Sequence, residues 1–245
     1  MNHRIFFYVN VTKTGSDGVL RKATEIAARS GYQCKVYEDA SCMFADCIEE
    51  DEDEPACIVT IGGDGTTLRA VSHAVNQGIE IITPILGINL GKIGFFSETS
   101  IEGFEETLKQ FSEGDYTIET DRMLKASFKD GREFFALNDF LAYKSGFSSV
   151  SHIELGVDGA DVGMIHGDGI IVSSRLGSTG YSISAGGPVV APNLDVILVP
   201  PVCPHSLTVR PIAAAFDSVI EINAQSDCVM YADGISTVQV PAGTG

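Results

Sequence analysis

The segment Val59-Thr60-Ile61-Gly62-Gly63-Asp64-Gly65-Thr66-Thr67 holds the residue types that phosphate chemistry needs. Glycines let the backbone turn sharply and approach a ligand with no Cβ in the way. Behind them Leu68, Val71, Ala74 and Val75 recur at helical spacing, so the turn opens into a helix whose unpaired N–H groups attract an anion. Asp64 within that turn meets a phosphate as a metal ligand or a general base, since its own charge does not attract one. The chain has six Asp-Gly pairs; the buried strand in front and the flanking glycines single this one out. A second cluster, Gly87-Ile88-Asn89-Leu90-Gly91-Lys92-Ile93-Gly94-Phe95-Phe96, has neither GxGxxG nor GK[ST] spacing. A standard hydride-transfer fold and a Walker-type ATPase are therefore not indicated. A third segment runs from Gly167-Asp168-Gly169 through Ser173-Ser174-Arg175-Leu176-Gly177-Ser178-Thr179-Gly180-Tyr181-Ser182 to Gly186-Gly187-Pro188. Its hydroxyls and glycines suit ribose, phosphate or adenine, and the lack of a G-x-S-x-G elbow disfavours a serine hydrolase.

These loops need elements to hold them. Up to about residue 115, apolar strands at 4–11, 56–61 and 79–88 and a further strand near 33–38 alternate with helices. Those helices are expected after Asp17 as cap, closed by Gly31, then near 41–48, behind Asp64, and over 101–111. Such a βαβα order predicts a parallel, doubly wound sheet with ligands beyond the carboxyl ends of its strands. Beyond it, short alternating runs are separated by the turn signals Lys129-Asp130-Gly131-Arg132, Val157-Asp158-Gly159 and Ala232-Asp233-Gly234. They predict a mostly β domain, with strands at 117–119, 123–128, 133–137, 140–143, 152–157, 169–173, 196–199, 218–223 and 228–231. The expected division is 1–115 for the α/β domain, which carries the Gly-Gly-Asp-Gly site, and 116–245 for the β-rich one.

Composition narrows the class. The 245 residues are 44% apolar and 20% charged, as in a globular protein with ample core. Thirty-three acids against sixteen bases give a net charge of −17, which repels nucleic acid and anionic membranes. An anionic substrate then requires helix N-termini, placed bases or a metal ion. The run Glu49-Glu50-Asp51-Glu52-Asp53-Glu54 reads as a solvated loop. No apolar stretch approaches the ~18 residues of a membrane span, and the run 5–9 is too short for a signal peptide. Cys34, Cys42, Cys47, Cys57, Cys203 and Cys228 form no CxxC pair or zinc spacing, and the five histidines form no HExxH. Reduced thiols in a cytoplasmic protein, without a transition-metal centre, are expected.

Taken in order, the segments resemble the NAD kinase family, a relative of the diacylglycerol kinase and phosphofructokinase superfamily. The resemblance spans 56–234. It rests on Gly62-Gly63-Asp64-Gly65-Thr66, Gly87-Ile88-Asn89-Leu90-Gly91, Leu137-Asn138-Asp139 and the block from Asp168-Gly169 to Pro188. Pro200-Pro201-Val202-Cys203-Pro204-His205-Ser206-Leu207 with Arg210-Pro211, and Asp233-Gly234, complete it. Several kinase families share Gly-Gly-Asp-Gly; the later segments narrow the choice.

The resemblance implies phosphorylation of the 2′-hydroxyl on the adenosine ribose of NAD, with ATP (or polyphosphate) as donor and Mg²⁺ or another divalent cation. It implies NAD and ATP as partners, and a homodimer or homotetramer. Carried over position by position, Asp64, between Gly63 and Gly65, resembles the carboxylate that activates the hydroxyl. Asn138 and Asp139 resemble the pair that holds the adenosine part. Asp168, Thr179, Gly180, Tyr181 and Ser182 resemble residues lining the dinucleotide pocket, which places dinucleotide binding in the β-rich domain. Thr66, Arg69 and Arg175 are candidates for phosphate, and no metal ligand is assigned, because Mg²⁺ binds largely through nucleotide phosphates. The chain departs from the family at Ser174-Arg175-Leu176, where members usually have Thr-Pro-Thr. Gly180 stands for the common alanine, Asp139 for glutamate, and His166 for the basic residue before Gly-Asp-Gly. A kinase for a lipid or sugar hydroxyl and a non-catalytic NAD-binding sensor are the alternatives.

Overall fold

The computed structural model describes residues 3–39, 54–76, 82–91, 94–146 and 150–244. The helix expected near 41–48, Cys42, Cys47, the acidic run except Glu54, and Lys92-Ile93 lie outside them. The chain forms two compact units, Met1–Thr120 and Asp121–Gly245. Among the described residues no helix is long and apolar enough to cross a membrane.

In the first unit, β1 (Arg4–Val9), β2 (Gln33–Glu38), β3 (Cys57–Gly62) and β4 (Ile85–Asn89) make a parallel sheet in the order β2-β1-β3-β4. Side chains alternate across a strand, and β1 shows the consequence. Ile5, Phe7 and Val9 pack with Ala23, Ile26 and Ala27 of α1 (Ser16–Arg29) and with Phe104 and Leu108 of α3 (Phe104–Glu113). Phe6 and Tyr8 pack on the opposite face with Ala70 and Ala74 of α2 (Asp64–Asn76). A strand apolar at each position from Ile5 to Val9 is what a sheet covered on both faces requires. The strand order reverses between β1 and β3, so the loops after those two strands flank the switch point at which open α/β sheets bind ligands.

Three boundaries differ from expectation. Asp17 lies inside the first turn of α1 and does not cap it; the N-cap is Gly15 at φ 86°, with no side-chain bond. Left-handed Gly15 turns the chain into the helix early, leaving the Asp17 charge near the positive end of the dipole. The far end is as expected: Gly31 is left-handed, and the N–H groups of Gly31 and Tyr32 donate to the carbonyls of Ala28 and Ala27. Residues 79–81 of the strand expected at 79–88 lie outside the described residues; β4 begins at Ile85, after Pro84, which has no N–H for the ladder and joins only through its carbonyl, which accepts from Ile58. α3 begins at Phe104, after a turn over 101–103.

The second unit is built from β5 (Leu124–Ser127), β6 (Glu133–Ala136), β7 (Asp139–Lys144), β8 (Ser151–Val157), β9 (Ala160–Gly167), β10 (Gly169–Ser173), β11 (Val196–Val199), β12 (Pro201–Val202), β13 (Ile212–Ala215), β14 (Ile220–Ala224), β15 (Cys228–Ala232) and β16 (Ser236–Val240). One sheet runs β13-β11-β10-β7-β15-β16 with β12 beside β10; β14-β8-β9 and β5-β6 form two smaller ones. The three turn signals close the hairpins β5–β6, β8–β9 and β15–β16. A core of Phe140, Ile153, Leu155, Ile165, Ile170, Ile197 and Met230, among others, lies between the sheets.

The strand expected at 117–119 is absent: the segment is irregular and Ile118 is 59% exposed, so it has neither a ladder nor a core to join. β9, β12, β13 and β16 go beyond the sequence reading. The three alanines of β13 (Ile-Ala-Ala-Ala) are poor strand formers, and pairing with β11 fixes the segment. A 3₁₀ turn at Leu176–Thr179 and the one-turn α4 (Tyr181–Ser184) occupy the glycine- and serine-rich loop.

Candidate functional site

In the first unit β3 ends at Gly62 and α2 begins at Asp64. A Cβ on Gly62 would lie 2.1 Å from Thr66 Oγ1, so glycine is what lets α2 close on the strand. Thr66 itself is 1% exposed, its hydroxyl turned toward the Gly63 N–H at 3.5 Å. The Asp64 carboxylate is fixed by the second glycine cluster: Phe95 N–H donates to Oδ2 and Phe96 N–H to Oδ1, each at 3.1 Å. Both oxygens keep lone pairs for a further donor. A Cβ on Gly94 would stand 2.3 Å from Oδ1, so the approach of these two loops depends on that residue.

Arg69 spends Nε and Nη2 on Asp39 Oδ2, at 2.7 and 2.6 Å. Its Nη1 stays beside the turn, 3.4 Å from where a Gly65 Cβ would sit. Lys13, which sequence reasoning passed over, has its Nζ 2.9 Å from the corresponding point on Gly63. Its position in the loop after β1, at one side of the switch point, is the signal that could have found it. Two cations thus border the glycine turn in a chain of strong negative charge.

In the second unit the Asp233 carboxylate gathers three successive backbone groups: Leu137 N–H donates to Oδ2 at 2.8 Å, and Asn138 and Asp139 N–H donate to Oδ1 at 2.7 and 3.0 Å. Ser174 braces the same segment, its hydroxyl donating to the Leu137 carbonyl at 2.6 Å and its N–H to the Asn138 carbonyl at 2.8 Å. Beside this knot lies a cavity of about 440 Å³ lined by Asn138, Asp139, Gly180 and Tyr181 together with Tyr143, Tyr231 and Asp233. Asn138 Oδ1 is buried and has no hydrogen-bond partner among the described residues, an acceptor available to a ligand donor.

Burial, and then the neighbouring Asp233 charge, push the Asp139 carboxyl up to about 6. Burial also raises Asp233, against the three N–H groups that lower it. A carboxyl raised in the folded state above its unfolded value of ~3.9 adds stability that is full below that value and is lost as pH rises through the folded pKa. The parent is therefore expected to lose stability relative to Asp139→Asn between about pH 4 and 6. Urea unfolding of both proteins across that window checks this; a pH-independent difference would show that Asp139 titrates normally.

Asp168, Thr179, Ser182 and Arg175 are not among the residues that line the cavity. Asp168 is paired with Lys144 Nζ at 2.6 Å and accepts from the Tyr143 hydroxyl at 3.5 Å; Lys144 holds its carboxyl below the usual range. Ser182 is wholly buried, its hydroxyl without a hydrogen-bond partner among the described residues, and Thr179 is exposed. The Arg175 guanidinium is engaged by Asp121 and by the Pro192 carbonyl, so the residue that departs from the usual family pattern ties down its own loop. Among the described residues no group of three or more His, Cys, Asp or Glu could hold a metal.

Residues 4–116 match the family described as the ATP-NAD kinase N-terminal domain, and residues 137–244 the ATP-NAD kinase C-terminal domain. The chain is 39% identical over 173 residues to an NAD kinase of Caldicellulosiruptor saccharolyticus, covering 71% of this chain and 64% of that protein. It is 33% identical over 227 residues to an NAD kinase of Clostridium tetani, covering 91% and 80%. Its fold is similar to that of an NAD kinase from Archaeoglobus fulgidus solved in complex with ATP, with a TM-score of 0.78, 28% identity, and coverage of 98% of this chain and 87% of that one.

Proposed function

Because the chain belongs to the ATP-NAD kinase family, we propose that it transfers the γ-phosphoryl group of ATP to the 2′-hydroxyl of the adenosine ribose of NAD, giving NADP and ADP. The observation that carries this reading is the Asp64 carboxylate, clamped by the Phe95 and Phe96 N–H groups at the start of α2. A ribose hydroxyl is a weak nucleophile and must be positioned and relieved of its proton. In the proposed step the 2′-oxygen forms a bond to the γ-phosphorus, the bridging bond to ADP breaks, and the hydroxyl proton passes to Asp64. Asn138 Oδ1 and the Asp139 carboxylate accept hydrogen bonds from the adenosine part, and the tyrosines around them offer faces for a base. The α2 N-terminus, Lys13 and Arg69 Nη1 carry the positive field that the phosphates need.

The two Asp64 oxygens, each accepting one backbone N–H and keeping a lone pair, fit a divalent cation held chiefly by phosphate oxygens. Asp64 is the carboxylate of this chain that would share such an ion, Mg²⁺ in this reading, which neutralises phosphate charge when bound. ATP as donor draws support from the Archaeoglobus relative, solved with that nucleotide. A homodimeric or homotetrameric assembly and a cytoplasmic location complete the reading. The free thiols of Cys34, Cys57, Cys203 and Cys228 support the latter, and sedimentation of the purified chain tests the former.

The test is NADP formation from NAD, ATP and Mg²⁺, detected with an NADP-specific dehydrogenase. Product that requires both ATP and the divalent ion is expected. NAD binding without product, from either ATP or polyphosphate, would instead identify a non-catalytic NAD-binding sensor. Gly94→Ala offers a finer check. The added methyl collides with Asp64 Oδ1, and a misplacement of about 1 Å can cost ~10²-fold in rate. Its turnover is expected to fall by that order while the melting midpoint stays near the parent's; an unchanged rate would show that the carboxylate is not held where it acts.

A further inference from the structure

We propose that Arg175 is a positioning residue for NAD: its guanidinium clasps the loop 174–182 in the place from which that loop sets Asn138 and Asp139 at the cavity. The proposal rests on the NAD reading above. The inner side of the loop is packed on the segment it braces. A Cβ on Gly177 would stand 2.2 Å from the Asn138 carbonyl oxygen, and one on Gly180 would stand 3.7 Å from both Asn138 Nδ2 and Asp139 Oδ2. Ser174 bonds to the Leu137 and Asn138 carbonyls in the same segment. A shift of the loop therefore moves Asn138 and Asp139, together with Gly180 and Tyr181 in the cavity wall.

A Gly-Ser-Thr-Gly run at 177–180 has more backbone freedom than most loops, and Arg175 supplies a constraint from outside it. Nη2 donates to the Asp121 carboxylate and Nη1 to the Pro192 carbonyl, partners 54 and 17 residues away in the chain. The ion-paired side chains are only 20% and 23% exposed, so water and salt weaken the pair less than one on the open surface. Both anchors are themselves fixed. Arg122, next to Asp121, donates to Asp195 at 2.9 Å and to Asp217 at 2.5 Å, and lies over the Phe216 ring at 4.3 Å. On the other side Val190 N–H donates to Ser178 Oγ at 3.3 Å, a second tie between the Pro192 segment and the 3₁₀ turn. Arg175 itself has φ −58°, the value a proline ring imposes. Proline can thus replace the clasp by a constraint that carries no charge, which separates positioning from direct contact with a ligand. With the clasp gone, the loop samples other positions. If about a tenth of the molecules hold the competent one, the apparent affinity for NAD falls ~10-fold, while molecules that have bound NAD have the loop in place.

Steady-state kinetics of Arg175→Ala, Asp121→Ala and Arg175→Pro, with hydrogen exchange of the 174–182 amides in parallel, tests the proposal. Arg175→Ala and Asp121→Ala are each expected to raise the KM for NAD ~5–10-fold, with kcat and the KM for ATP within about twofold of the parent. The double alanine variant should be no worse than the single ones, since either change opens the same clasp. Arg175→Pro should bring the KM for NAD back to within about twofold of the parent. Exchange needs no ligand; it should quicken in the alanine variants and stay slow in the proline variant. A loss of NAD affinity that proline does not repair, with exchange unchanged, would overturn the clasp and make Arg175 a direct contact to a phosphate. An unchanged KM in Arg175→Ala would overturn it as well. A parent that neither forms NADP nor binds NAD would refute the NAD reading, and the exchange rates alone would then decide whether Arg175 holds the loop.

Discussion

Asp64→Asn is expected to lower turnover at least ~10²-fold while leaving the fold and the affinity for NAD within a few-fold of the parent. The substitution keeps the size of the side chain and removes its ability to take a proton, which is typically worth 10²–10⁴-fold in a general base. The structure says why folding should survive. The carboxylate accepts one N–H on each oxygen, from Phe95 and Phe96. The amide keeps one acceptor and turns a donor toward the other N–H, at a cost of about 1 kcal/mol where the group remains near water. Steady-state NADP formation, with NAD binding measured separately by fluorescence or calorimetry, distinguishes the two effects. Near-parental turnover would remove Asp64 from the role of base. A parallel loss of NAD affinity would make it a binding group.

The largest effect on stability is expected from Asp233→Ala. The substitution strips three consecutive backbone N–H groups of their acceptor at once. A hydrogen bond to a charged group is worth about 1.5–3 kcal/mol, less where water can replace it; these groups are partly buried, so a total of about 2–4 kcal/mol is expected. Asp233 also sits at φ 51°, a left-handed conformation that aspartate tolerates and alanine resists. For a chain of this size the melting midpoint should fall by roughly 5–15 °C. The Leu137-Asn138-Asp139 segment would be released with it, and NAD affinity should fall as well. Asp233→Asn, which keeps one acceptor and the same backbone tolerance, should lie between. An alanine variant within about 0.5 kcal/mol of the parent would show that Ser174 alone holds the segment.

The contrast between these two residues shows what was legible. Asp64 could be picked from the sequence because its neighbours are local: a buried strand, glycines and a helix start all lie within a dozen residues. Asp233 carried a weaker signal. Its Asp-Gly pair marks a hairpin turn, which the structure bears out, but nothing nearby says that its carboxylate reaches back to residues 137–139. Arg69 and Arg175 show the same limit from the other side. Each is a phosphate candidate from the glycine loop beside it, and that Asp39 also holds two of the Arg69 nitrogens and Asp121 holds Arg175 is legible only in the structure.

The sequence alone determined the parallel α/β sheet of the first unit, the mostly antiparallel second unit and the glycine turn that bears Asp64. Each follows from periodicity, apolar runs and backbone permission, which are properties of a residue and its near neighbours. Tertiary structure decided the rest. It placed the Phe95 and Phe96 N–H groups on Asp64, Lys13 beside Gly63, three backbone N–H groups on Asp233, and β13 in a sheet its composition does not suggest. Those placements depend on which distant segments pair, and pairing is set by the packing of the whole core, to which no local pattern has access.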